Sequence, residues 1–191
     1  MKKIISIFIS LAILVSLAAC GNTRQPAEIS AEVNLVELGE QYLPPAFYSF
    51  VTFSSWENAS EIDADNLVEF YSWAAYLESL DIIIPDNLIQ NNGYTNLLPA
   101  EVIEQAIQRH FSITAEHLRT SMYYHADSDS YEVVGLGGAS SYEILNVTLS
   151  DGIVEIEFNG LQDGDLFQTG KLSIKQNGEA YQYISCHAER I

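Results

Sequence analysis

Histidines and acidic residues are the side chains of this chain best suited to metal binding or acid–base catalysis, and there are four histidines. His110 and His117 lie seven residues apart, but residues 112–114 predict a helix break between them. His125 lies near two aspartates, and His187 lies near the end of the sequence. The chain has neither a His-Glu-x-x-His motif nor closely paired cysteines, so the spacing does not indicate zinc. We therefore predict no metal ligand and no cofactor.

Residues 127–132 form the most calcium-like pattern of the sequence. Asp127 and Asp129 alternate with serines, and hard oxygen ligands at alternate positions can face one ion. The run lacks the glycine and the distant glutamate of a helix-loop-helix calcium site. We favour a polar turn before a strand, and a calcium-binding module remains an alternative.

Three other patterns resemble reactive motifs, and each has a simpler structural interpretation. Cys186 stands beside His187, but adjacent residues of a strand point to opposite faces. Glu155 and Glu157 could act as paired carboxylates in glycoside hydrolysis, but they also alternate like the solvated face of a strand. Residues 135–138 are glycine-rich but are followed by no Lys-Ser or Lys-Thr, so a turn is favoured over phosphate binding. We predict no catalytic residue, and a hydrolase with an unrecognised site remains an alternative.

Aromatic residues are concentrated between residues 42 and 76. The group consists of Phe47, Phe50, Phe53, Trp56, Trp73 and Tyr76. Aromatic residues at such spacing usually form core, whereas an exposed cluster would suit a protein or glycan partner. We favour the core interpretation, and an exposed cluster remains the alternative.

The first twenty residues are organised like an export signal. Met1–Lys3 is basic, Ile4–Ala19 is apolar except for three serines, and small residues precede Cys20. The apolar stretch is shorter than the roughly 20 residues that a membrane-spanning helix needs. The segment resembles a bacterial lipoprotein signal, which implies removal of residues 1–19 and lipid attachment to Cys20. The lipid would then hold the mature protein at a membrane, facing outside the cytoplasm.

The chain is strongly acidic, with 26 acidic residues, 8 basic residues and a formal net charge of −18. No lysine or arginine occurs between Gln25 and Gln108. Such a surface repels phosphate backbones, which excludes nucleic acid as a partner. It also repels anionic lipid headgroups, so the lipid itself must provide the anchoring. Solubility is the simplest reason for this acidity, and attraction to cations or to a basic partner is the alternative.

Composition and periodicity divide the mature chain into a tether and one domain. Residues 20–40 are polar and acidic and are expected to form the tether, followed by a single domain at 41–191. Its helical part is expected at 41–122 and its sheet part at 123–191. Pro45 and Pro99 are placed to begin helices, and Asp63 and Thr114 are placed to cap two others. With Cys20 lipidated, Cys186 has no disulfide partner, so stability must come from packing.

Hairpin signals dominate the second part of the domain. Asp151–Gly152, Asp163–Gly164 and Asn177–Gly178 predict turns between apolar runs, and Asn159–Gly160 is expected to open the connection that contains Asp163. The pattern predicts an antiparallel meander of four strands, with Tyr131–Val134 as a possible fifth at its edge. Helices followed by strands indicate an α+β domain, with the helices packed on one face of the sheet.

Several separated segments resemble small lipoproteins of clostridial-type bacteria over residues 99–185. The matching positions are Pro99–Phe111, Glu116–Arg119, Tyr124, Tyr131, Gly170–Leu172, Asn177–Gly178, Tyr181 and Tyr183. The resemblance implies shared structural motifs but transfers no activity and no site residue. Together with the signal, these observations predict a non-enzymatic, membrane-anchored domain that binds a protein or cell-envelope partner.

Overall fold

A computed structural model describes residues 34–91, 93, 95–133, 135, 137 and 140–191. Four α-helices lie between residues 35 and 118, namely α1 (Leu35–Tyr48), α2 (Ala64–Tyr76), α3 (Ala100–His110) and α4 (Ala115–Leu118). Short 3-10 segments occur at Ala59–Glu61 and Asp86–Leu88. Across these residues, no helix combines the length and the apolar character needed to cross a membrane.

Eight strands form two antiparallel sheets of four strands each. They are β1 (Gln90–Asn91), β2 (Asn96–Pro99), β3 (Tyr124–His125), β4 (Ser130–Glu132), β5 (Ser140–Ser150), β6 (Ile153–Gln162), β7 (Asp165–Asn177) and β8 (Ala180–Arg190). The four long strands pair in chain order, which confirms the predicted α+β class and meander. The short strands pair in the order β1-β2-β4-β3.

Two-residue turns set the register of the large sheet. Asp151 and Gly152 join β5 to β6, and Asp163 and Gly164 join β6 to β7, all four with left-handed backbone. Asp-Gly suits such turns because aspartate tolerates positive φ and glycine has no Cβ. The third turn lies one residue later than predicted, because Asn177 pairs with Ala180. The expected connection at Asn159–Gly160 was wrong, because both residues pair within β6.

Alternation along the strands separates an inner apolar face from an outer polar face. Val154, Ile156 and Phe158 are fully buried, whereas Glu155 and Glu157 project from the opposite side of β6, as predicted. Helix α1 packs on β5 and β6, and α3 packs on β8. A buried hydrogen bond of 2.6 Å from the Tyr183 hydroxyl to the Tyr42 carbonyl joins α1 to β8.

Local capping explains where the predicted helices begin. The Asp63 carboxylate accepts a hydrogen bond from the Asp65 amide at 2.9 Å, and Ile62 packs into the core beside the helix start. The Thr114 hydroxyl accepts one from the His117 amide at 3.2 Å, which starts α4. Helix α3 begins at Ala100 with Pro99 as its N-cap, one residue after the expected start at Pro99. The caps predicted at Asp63 and Thr114 are confirmed.

The beginning of the domain differs from the sequence-based boundary. Asn34 caps α1, and the helix begins at Leu35, so residues 35–40 belong to the folded domain rather than to the tether. Pro44 and Pro45 lie inside the helix instead of starting it. Both prolines are buried residues of α1, so tertiary packing overrides their unfavourable helix propensity.

The small sheet was not predicted. Tyr131 does not lie at the edge of the large sheet but pairs with Leu98 of β2 and Tyr124 of β3. Val134, the end of the predicted fifth strand, lies outside the described residues. The division into a helical part and a sheet part is therefore too simple, because β1 and β2 fall within 41–122.

Candidate functional site

The aromatic residues divide between the core and the surface. Phe47 and Trp56 are buried, with exposed fractions of 0% and 2%. Phe50 and Tyr76 are 48% and 70% exposed. One side of the C-terminal end of α1 packs on the large sheet. Aromatic residues on that side are therefore buried, and their neighbours in the sequence face solvent. Both interpretations of the sequence therefore apply, to different residues.

One partly exposed aromatic group lies where α1 and α2 end, and Tyr76 is its exposed member. The Tyr48 ring stacks on the Trp73 ring with centroids 4.7 Å apart and an interplanar angle of 26°. Tyr76, one helical turn after Trp73, makes an edge contact with it at 5.9 Å. Tyr142 of β5 makes an edge contact with Tyr48 at 5.9 Å. The rings lie in mutually supporting positions, so they need little ordering when a partner binds.

A second aromatic group lines a groove after the end of α1. Phe53 lies 4.9 Å from Phe50 and stacks on Phe167 of β7 at 5.9 Å, between ring centroids. The groove has a volume of about 480 Å³ and is completed by Ser140, Gln162, Arg190 and Ile191. It combines an aromatic wall with hydrogen-bonding groups and one guanidinium, which is a lining suited to binding.

Phe50 is held on the surface by an unusual backbone conformation. It follows the last turn of α1 with a φ of 64°, in the left-handed region that glycine normally occupies at the end of a helix. A bulky side chain in this region costs on the order of 1 kcal/mol. The chain therefore places an exposed phenylalanine where a glycine would be less strained.

Buried Phe47 connects the two groups. Its ring contacts Tyr48 at 5.5 Å, Phe53 at 5.7 Å and Tyr142 at 5.6 Å, between centroids. We call the connected outer rings the aromatic surface. It consists of Tyr48, Phe50, Phe53, Trp73, Tyr76, Tyr142 and Phe167. Sequence reasoning missed Tyr142 and Phe167 because their contribution depends on how α1 docks on distant strands.

The outer face of the large sheet carries the other concentration of polar groups. Glu157, Lys171 and His187 are direct cross-strand neighbours and line a shallow groove of about 570 Å³. His187 Nε2 lies 3.2 Å from a carboxylate oxygen of Glu57, and Lys171 Nζ lies 3.2 Å from Glu155. The side chains of His187 and Glu57 are 59% and 65% exposed, so water screens their interaction. The groove is thus an ion-paired surface rather than an enclosed reaction centre.

The histidines of the helical part serve packing. His110 is 2% exposed, and its Nδ1 lies 3.2 Å from the Tyr181 carbonyl oxygen. Burial lowers the pKa of His110, and hydrogen bonds with the Tyr181 and Leu80 backbones partly offset this effect. His117 Nε2 donates a 2.8 Å hydrogen bond to the Ile62 carbonyl. The structure does not bring these two histidines together at a common site.

A half-buried ionic network occupies the region of the small sheet. Arg119 Nε lies 2.7 Å from Glu104 Oε1, and Tyr131 donates a 3.2 Å hydrogen bond to the same oxygen. Burial, and then the Glu104 charge, raise the pKa of Tyr131. Asp129 accepts from Arg119 at 3.2 Å and from the Tyr124 hydroxyl at 2.8 Å. Glu104 and Tyr131 therefore tie α3 to the small sheet.

The calcium-like run is engaged in this network. Asp129 faces Arg119, and its carbonyl accepts a hydrogen bond of 2.9 Å from the Ala100 amide. His125 Nε2 lies 3.8 Å from a carboxylate oxygen of Glu132. Within the described part of the chain, no three His, Cys, Asp or Glu side chains are grouped so that they could hold a metal ion.

The remaining candidate positions do not form a reactive site. Cys186 is fully buried, and burial raises the pKa of its thiol to about 12, which keeps it protonated and unreactive at neutral pH. A Cβ at Gly135 or Gly137 would meet open space. Leu136, Gly138 and Cys20 lie outside the described residues.

Comparisons with protein families, curated proteins and solved structures gave no match for this chain.

Proposed function

We propose that this chain is a membrane-anchored lipoprotein that faces outside the cytoplasm and binds a protein or glycan partner of the cell envelope without catalysis. The aromatic surface is the observation that supports this proposal. It combines stacked rings, a groove of about 480 Å³ and an exposed phenylalanine in left-handed backbone. The resemblance to small lipoproteins of clostridial-type bacteria is part of the same proposal.

Rigid aromatic rings are efficient binding groups. Each ring buries a large area for the loss of few rotatable bonds, and aromatic residues are enriched at the energetic centres of interfaces. Tyr48 and Trp73 are already stacked on each other, so the surface is preorganised. The strained backbone of Phe50 also serves binding, because it keeps an apolar ring exposed to a partner.

The positions of the potentially reactive groups favour binding over catalysis. His110 and His117 are committed to backbone carbonyls, and the Cys186 thiol is buried. His187 and Glu157 lie on an open and hydrated face. A hydrolase would need a nucleophile, a base and a water-excluding pocket that converge on one point.

Anchoring through Cys20 supplies the location of the binding domain. With a net charge of −18, the polypeptide gains nothing from an anionic membrane surface, so attachment depends on the lipid. We expect the full chain to fractionate with membranes and to be degraded by protease added to intact cells. A Cys20→Ser chain should leave the membrane fraction. Membrane retention of Cys20→Ser, or protection from external protease, would contradict the anchoring.

The binding proposal is tested with exposed residues whose removal spares the core. The double variant Phe50→Ala/Tyr76→Ala removes both exposed ends of the aromatic surface. Met122→Ala is the matched control, because Met122 is 75% exposed at the opposite end of α2 from Tyr76. Full-length, detergent-solubilised chains are incubated with solubilised envelope proteins and, separately, with purified envelope polysaccharide. Retained material is then quantified by mass spectrometry or sugar analysis.

We expect one of these two pools to supply a partner that the wild type and Met122→Ala retain equally. The double variant should retain at least about tenfold less, because residues that act as hot spots of an interface each contribute about 1 kcal/mol or more. Equal retention by the double variant and the wild type would show that the aromatic surface does not bind the partner. No retained partner in either pool would refute the binding function.

A further inference from the structure

The two edges of the large sheet are treated differently. Along β8, Trp56 exchanges two backbone hydrogen bonds of 2.8 and 2.9 Å with Cys186, and Phe111 forms a bridge with Tyr183. Along β5, the described residues supply no backbone hydrogen bond other than those with β6. Within the described part of the chain, this eleven-residue strand therefore has one unpaired edge. Open edges attract additional strands, so natural proteins usually cover or disrupt them.

The alternation of hydrogen bonds identifies which backbone groups face outward. Ser150 and Ile153 flank a two-residue turn and so form a hydrogen-bonded pair. Because such pairs alternate along antiparallel strands, the N–H and C=O groups of Leu149 and Val147 face the open edge. A bulge between Ile144 and Asn146 ends this regular stretch. The available edge is thus residues 146–150, which suits a short added strand.

Exposed apolar groups accompany this edge. Leu145 and Leu149 are 53% and 49% exposed, and Val36 of α1 is 61% exposed. Val36 and Leu145 line a groove of about 720 Å³ between α1 and β5, together with Tyr142, Ile144, Glu40, Asn146 and Val147. Alternate side chains of an added strand would point into such a groove. Tyr142 also makes the groove continuous with the aromatic surface.

Charge determines the kind of strand that fits. Glu40 is the only charged residue among the described residues that line the groove, and Glu143 and Asp151 lie near the two ends of β5. The whole chain carries a net charge of −18, so a second copy would bring a like charge to this edge. Like-charge pairing slows and weakens association, whereas opposite charge favours it.

We propose that β5 accepts an extended segment of a partner protein, with alternating apolar residues and basic residues at its ends, as a fifth strand of the large sheet. The segment pairs with the outward backbone groups of Val147 and Leu149 and places apolar side chains in the α1–β5 groove. This inference rests on the proposed binding function and specifies a protein partner and its mode of binding. The aromatic surface then contacts residues of the partner beyond the added strand.

The test is a selection of random twelve-residue peptides against the full-length chain in detergent micelles. Leu149→Pro removes one outward N–H, whereas Leu149→Ala removes the exposed side chain and keeps that N–H. Enriched peptides should alternate apolar residues between basic ends. Leu149→Pro should weaken their binding about fivefold, the effect of one lost backbone hydrogen bond, and Leu149→Ala by much less. Unchanged β6 amide exchange in the proline variant serves as the control for folding.

Amide hydrogen exchange on the unmodified chain provides an independent readout. Peptide binding should slow exchange at Val147 and Leu149, and added salt should reverse the effect. No enriched peptide, peptides without basic residues, or equal binding by Leu149→Pro would overturn the inference. Slow exchange at both amides before peptide is added would show that another segment of this chain already covers the edge. Slow exchange that appears only when the chain is concentrated would show that a second copy covers it. If no strand is added at β5, the Phe50→Ala/Tyr76→Ala variant can still lose its partner. The two proposals are therefore tested independently.

Discussion

Gly170 of β7 provides a test of core packing in which the sign of the effect decides the outcome. Its backbone is compatible with alanine, because its φ is not positive. A Cβ at this position would lie 2.7 Å from Phe158 Cε1 and 3.0 Å from the His187 carbonyl oxygen. Phe158 is fully buried and cannot move outward. The aromatic ring on β6 thus covers the glycine directly opposite it on β7.

Two effects of Gly170→Ala oppose each other. Restricting the unfolded chain stabilises the native state by about 0.4–1 kcal/mol when the new methyl group fits. Forcing a methyl group into a packed core costs about 1–3 kcal/mol. Since the contact distances are well below ordinary van der Waals separation, we expect a net loss of about 1–2 kcal/mol of unfolding free energy. Urea unfolding followed by circular dichroism measures this value.

A double-mutant cycle identifies the cause. Phe158→Leu alone should cost roughly 1–2 kcal/mol by deleting part of a buried ring. In the double variant the alanine methyl group gains space, so the combined loss should be smaller than the sum by about 0.5 kcal/mol or more. Gly135→Ala is the control, because a Cβ there meets nothing within 4 Å, and it should be neutral or slightly stabilising. A more stable Gly170→Ala protein, or strict additivity, would refute the packing described for this pair.

Three further changes probe other parts of the fold. Asp63→Ala should cost about 1 kcal/mol in urea unfolding through loss of the α2 cap, and an unchanged midpoint would contradict that role. Ile156→Ala should cost roughly 2–5 kcal/mol, whereas Glu155→Ala on the outer face should cost less than about 1 kcal/mol; equal effects would contradict the β6 register. Because burial lowers the pKa of His110, the unfolded state takes up the proton first, so stability should fall as pH drops below the ordinary histidine range near 6.5. His110→Gln should flatten this part of the pH profile, and an identical profile would assign the proton uptake elsewhere.

Sequence patterns predict the parts of this fold that local chemistry controls. Asp63 and Thr114 cap helices by contacts within three residues, so their positions are readable from the sequence. Likewise, alternation places Val154, Ile156 and Phe158 on one face whatever the neighbouring strand is. The meander follows from these runs and from the short turns between them.

Non-local contacts decide what the sequence could not predict. Strand β4 has three residues and pairs with β2, more than thirty positions earlier at Leu98, so no local periodicity reveals the small sheet. Pro44 and Pro45 normally argue against a helix interior, yet burial of α1 against the large sheet holds them there. The aromatic surface has the same origin, because Phe47 and Phe50 differ in burial only after α1 has docked.

Site-specific photocross-linking in intact bacteria is the most direct test of the central claim, that the aromatic surface binds an envelope partner outside the cytoplasm. A photoreactive phenylalanine replaces Tyr76, which is 70% exposed, and in a second chain replaces Met122, which is 75% exposed. We expect a discrete adduct with an envelope component from position 76, accessible to protease added outside the cells, and none of that adduct from position 122. The same adducts from both positions, or none from position 76, would contradict it.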